Sequence, residues 1–188
     1  MFERVRTWLS TKGRSKGRAS TSRDLIRYEG QSTAELLALA ATHRADIVVT
    51  AFVDGLTAKR GTVGLEGLSN AERVVLAVEA VERDVNNDGF DGLFRWSADL
   101  APEFVSSLSA IGREDVAQIA RLAIDALKIK GEVTAAAVSA AMCRESSSRD
   151  TRLERLDERY YALGVDMAPD VLRWVETNRA HVTLRDAD

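Results

Sequence analysis

Apolar positions recur along this chain at helical intervals, and local punctuation marks where each run begins and ends. Ser32-Thr33-Ala34-Glu35 fits a capping box, in which the serine oxygen satisfies a free amide and the glutamate reaches back. Leu36, Leu37, Ala40 and Ala41 follow at helical spacing, placing His43 within the helix. The run Ile47 to Val53 is β-branched and suits a strand by composition. A lone strand needs partners that the rest of the chain does not offer, so the run is expected to be a buried helix. Gly55, Gly61, Gly64 and Gly67 then mark an expected loop without a phosphate-binding pattern.

A second capping box, Ser69-Asn70-Ala71-Glu72, opens a helix with Val74, Val78, Val81 and Val85 in one stripe. Asn86-Asn87-Asp88-Gly89 is expected to end it, because these residues tolerate positive φ or tie up backbone groups. Phe90, Leu93, Phe94 and Trp96 should form a compact apolar turn. Further helices are expected from Pro102 to Ile111, from Glu114 to Lys128 and from Thr134 to Met142. Leu153, Leu156, Tyr160 and Leu163 trace another, and Val171 to Val175 a last one after Pro169. The fold class is all-α, a single domain of roughly seven packed helices over residues 28–180, with 181–188 as a C-terminal tail.

Composition agrees. Among 188 residues there are 27 alanines and two prolines, and 45% are hydrophobic, enough for a core. A single cysteine, Cys143, excludes an internal disulfide. With only His43 and His181 besides, no metal cluster and no cofactor is expected, and the usual parts of most enzymes are missing.

The net charge of −3 conceals a segregation. Residues 1–27 carry eight basic groups against Glu3 and Asp24, while the remainder holds 18 basic and 27 acidic groups. Between Ser10 and Arg23 the arm has only Ala19 as an apolar residue, so burial cannot offset its ordering entropy and it is expected to be disordered. No apolar segment follows its charges as in a secretory signal, and no run is long enough for an integral membrane span. Direct contact with nucleic acid, or with an anionic membrane surface, is expected only through this arm.

The segment Gly67-Leu68-Ser69-Asn70-Ala71-Glu72-Arg73, then Val78, Glu82, Val85-Asn86-Asn87-Asp88-Gly89-Phe90 and Phe94, resembles the DMP-type bacterial DNA-mimic protein family. Ala101-Pro102-Glu103, Ile111-Gly112 and Leu156-Asp157-Glu158-Arg159-Tyr160-Tyr161 match its later elements. The similarity runs over about residues 66–180 and is loose between Lys128 and Arg152. Asp88 stands where the family usually has glycine, and Trp96 where asparagine is usual. The resemblance implies an all-α, cytoplasmic domain without assigned catalytic residues, named for a dimeric member that competes with DNA for a transcription regulator. It thus implies a protein partner, basic or DNA-binding, and a homodimer.

Three functions follow as expectations. The first is a non-enzymatic, acidic protein-interaction module. Its candidate contacts are Glu82, Asp84, Asp88, Asp91, Asp99 and Glu103, read as exposed acids and the densest acidic patch in the sequence. With 18 basic groups interspersed, the body copies a duplex poorly, which favours partner binding over literal mimicry. The second is a small-ligand site or enzyme at Asn86, Asn87, Asp88, Gly89 and Phe90, against a purely structural role for that motif. The third is surface contact through the basic arm. Asp84-x-Asn86-x-Asp88-Gly89 also copies half of a calcium loop, but Arg95 stands where the bidentate glutamate belongs. The alternating charges from Arg152 to Arg159 read as a solvated helix face, and adjacent acids such as Asp157-Glu158 point too far apart to converge.

Overall fold

The computed structural model describes residues 25–184. Apart from residues 25–27, the basic arm lies outside them. Among the described residues there are eight α-helices and no strand: α1 (Thr33–Leu39), α2 (Ala45–Val63), α3 (Asn70–Trp96), α4 (Phe104–Ala110), α5 (Glu114–Ala126), α6 (Ala135–Met142), α7 (Ser147–Leu163) and α8 (Ala168–Thr177). A 3-10 segment, Ala98–Glu103, joins α3 to α4. The all-α expectation holds, with one helix more than the pattern suggested.

The extra helix arises at residues 40–44. Both Thr42 Oγ1 and the His43 amide donate to Leu39 O, which closes α1 before α2 begins. His43 therefore sits in a link, not mid-helix. Ile47–Val53 is helical as expected, and Val48, Val49, Phe52 and Leu56 are buried. The loop expected from Gly55 begins only at Gly64, because α2 runs on to Val63. Gly55 belongs to the helix interior, where Tyr28 and Leu184 close over it.

The long α3 is the axis of the domain. It contacts α2, α4, α6, α7 and α8, and its buried residues run from Ala71 to Phe94. Phe104, Phe94, Phe90 and Tyr160 form a chain of rings with centroids 6.2 to 6.5 Å apart, linking α4, α3 and α7 through the core. Trp96, expected within an apolar turn, is instead 72% exposed. Phe90, Leu93 and Phe94 lie at i, i+3 and i+4 on one face, and Trp96 at i+6 falls off it.

A second correction concerns the C-terminal residues. Val182 and Leu184 are buried, so 181–184 are no free tail. Their backbone is held at three points: Thr33 Oγ1 donates to Val182 O, Tyr28 OH to Leu184 O at 3.2 Å, and Lys59 Nζ to Thr183 O at 2.8 Å. The Thr183 amide donates to Glu72 Oε1 at 2.8 Å. Glu72 is fully buried and serves twice, since its Oε2 closes the capping box by accepting the Ser69 amide at 2.9 Å. Burial alone would raise its pKa, but Lys59 and the Thr183 and Ser69 amides outweigh that and hold it below the usual value.

Candidate functional site

The Asn86–Phe90 motif breaks α3 without ending it. Gly89 adopts φ 69°, ψ −171°, a region open almost only to glycine, and the helix resumes at once through Phe90 to Trp96. The expected terminating turn is therefore a kink. Such a break leaves backbone groups without their helical partners, and α7 supplies replacements. Asp157 Oδ1 accepts the Phe90 amide at 2.8 Å, and Tyr161 OH donates to Val85 O at 2.7 Å. Between them Tyr160 packs edge-on against the Phe90 ring, at 84° and 6.2 Å between centroids. Asn86 Nδ2 donates back to Glu82 O at 2.6 Å. Asp157, Tyr160 and Tyr161 stand at i, i+3 and i+4, the spacing that puts side chains on one helix face. The two motifs quoted from the sequence are thus the two halves of one contact.

The six acids expected as an exposed patch meet different fates. Asp84 is buried, accepting Ser97 Oγ at 2.7 Å and Arg83 Nε at 2.8 Å. Glu82 is half-buried and receives the Met167 amide at 3.2 Å; burial pushes its pKa up to about 7 despite that bond. Asp99 is paired with Arg60, and Glu103 with Arg73 at 3.0 Å. Asp91 pairs with Arg95, one turn further on, at 2.6 Å. Asp88 alone of the six is exposed with no ion pair among the described residues.

In their place α7 contributes two acids that the alternating charges concealed. Asp157 is half-buried against the kink, and burial together with the neighbouring Asp91 and Glu154 pushes its pKa up to about 6 against the opposing Phe90 amide. Tyr161 is raised in turn by burial and by the charges of Asp157 and Asp88. Asp88 and Asp91 flank Gly89 along α3, the Asp157 carboxylate lies against Gly89, and Glu154 stands three residues before Asp157 on α7, so four acids border the kink. The sequence signal was the i, i+3, i+4 spacing from Asp157; what it lacked was the face of α3 that it meets.

The calcium reading meets no loop here, since residues 84–88 are helical and Asp84 turns inward to Ser97. Among the described residues no group of three or more His, Cys, Asp and Glu side chains is placed to hold a metal. Cys143 is exposed at the end of α6, remote in sequence from both histidines.

A family model described as DMP19-like protein matches residues 66–178, from the link before α3 into the end of α8. It includes the kink and α7, and leaves α1, α2 and the buried Val182 and Leu184 outside. No curated protein and no solved structure matches the chain significantly.

Proposed function

The chain belongs to the DMP19-like family, and on that premise we propose that it is a non-enzymatic interaction module that receives a basic protein surface, such as that of a DNA-binding regulator, on the kink between α3 and α7. The observation that carries this reading is the gathering of Asp88, Asp91, Glu154 and Asp157 there, with Asp88, Glu154 and Asp157 free of any ion pair among the described residues. Crowded carboxylates repel one another, and a cationic partner relieves that repulsion while exposed Tyr161 offers an aromatic rim. The kink is fixed from both sides by hydrogen bonds, so the acids are presented on a rigid element. Phe90 and Gly89 act here as supports and do not face a partner, both being buried.

The test is capture of partners by the full chain, followed by binding kinetics over a range of salt. Exposed charges lose most of their attraction beyond a Debye length of about 8 Å at physiological ionic strength, so the complex should weaken as salt rises. Neutralising Asp88, Asp91 and Glu154 together should slow association far more than it speeds dissociation. A partner that binds equally well at low and high salt and ignores the triple variant would overturn the proposal.

A further inference from the structure

A group of unpaired positive charges lies where the chain passes from α5 into and out of α6. A cavity of about 410 Å³ opens there, lined by Lys128, Ile129, Lys130, Ala137, Ala140 and Arg144. No carboxylate lines it, and none of its three cations forms an ion pair among the described residues. By contrast, Arg60, Arg73, Arg83, Arg95 and Arg113 each hold a carboxylate. Three free cations around one concavity, in a body with more acids than bases, raise the local potential for an anion.

The backbone adds a second observation. Lys128 has φ 52° and is the one non-glycine residue with positive φ among the described residues. It stands just past the Leu127 cap of α5, the position where glycine closes helices without strain. A lysine is thus held where glycine would be easier, and its charge is delivered to the cavity.

From this geometry we propose that the cavity binds a small phosphate monoester. A dianion matches several converging cations better than a single carboxylate does, and the planar guanidinium of Arg144 suits two phosphate oxygens at once. The half-buried Ile129 and Ala137 give the cavity an apolar floor for the organic part of the ligand, with the exposed Ala140 beside them. The site stands independently of the acidic kink, which faces the opposite sign of charge.

Phenyl phosphate is a suitable probe, titrated into the full chain by calorimetry and by amide NMR. The expected result is binding that shifts the amides of Ile129, Ala137 and Ala140, with inorganic phosphate weaker because it leaves the floor uncovered, and phenol inert. The double variant Lys130→Gln, Arg144→Gln should weaken phenyl phosphate at least tenfold. Lys128→Gly should also weaken it while leaving the melting temperature equal or higher, since glycine relieves the left-handed backbone. Absence of shifts at those three amides overturns the proposal. So does undiminished affinity in the double variant, which would move phosphate binding to the basic residues before Tyr28.

Discussion

The Asp157 carboxylate occupies the space that a side chain at Gly89 would need. A β-carbon built on Gly89 would collide with Oδ2 and stand 2.9 Å from Oδ1, and that same Oδ1 accepts the Phe90 amide at 2.8 Å. The kink and its clamp thus require each other: glycine opens the backbone, and aspartate enters the opening to satisfy the amide it exposes.

Gly89→Ala should therefore destabilise twice over. The backbone conformation alone costs roughly 1–3 kcal/mol for a residue with a β-carbon. Displacement of Asp157 adds the loss of its bond to Phe90. Asp157→Ala should remove much of the second cost, so chemical denaturation of the two single variants and the double variant should show less than additive loss. Strict additivity would mean that the two residues are not coupled.

Phe90→Ala should lose about 3–5 kcal/mol, as large-to-small changes in packed cores do. The ring is fully buried and touches both Phe94 and Tyr160. An unchanged melting temperature, measured calorimetrically, would contradict its place at the centre of the core.

Stability should rise as the pH falls from about 8 toward 5. Glu82 and Asp157 have folded pKa values of about 7 and about 6, both above the unfolded range of their types. The folded state then binds more protons than the unfolded state between those limits, so its advantage is complete below the unfolded values and is lost as pH rises through 6 and 7. Glu72, held below its usual value, acts in the opposite sense and its contribution disappears only in stronger acid. Melting temperatures of the Glu82→Gln and Asp157→Asn variants should show a flatter slope between pH 5 and 8 than the parent chain. An unchanged slope in both would remove these groups from the pH response.

Glu72→Ala should cost roughly 1–3 kcal/mol through the donors left behind, the Thr183 amide and Lys59. Its signature is spatial: hydrogen exchange should quicken at Thr183 as well as at the start of α3. Faster exchange at α3 alone would show that the glutamate is a helix cap and nothing more.

What the sequence determined by itself is the set of relations that act over one helical turn. The capping boxes at Ser32–Glu35 and Ser69–Glu72 both form, and the valine stripe of α3 is buried, because partners three or four residues apart meet whenever the helix forms. The importance of Gly89 and the burial of Phe90 were legible for the same reason, since positive φ and a large ring carry their meaning locally. The fate of each charge was not legible. Asp99 is neutralised by Arg60, 39 residues away, and Glu103 by Arg73, 30 residues away, while Asp157 reaches a backbone amide 67 residues earlier. Likewise Glu72 looked complete as a cap, yet its second oxygen holds Thr183, 111 residues on. A carboxylate's freedom depends on what the folded chain brings within a few ångströms of it, and proximity along the sequence says little about that distance. The tertiary structure alone therefore dispersed the acids of α3 and its following segment, and gathered Asp88, Asp91, Glu154 and Asp157 at the kink.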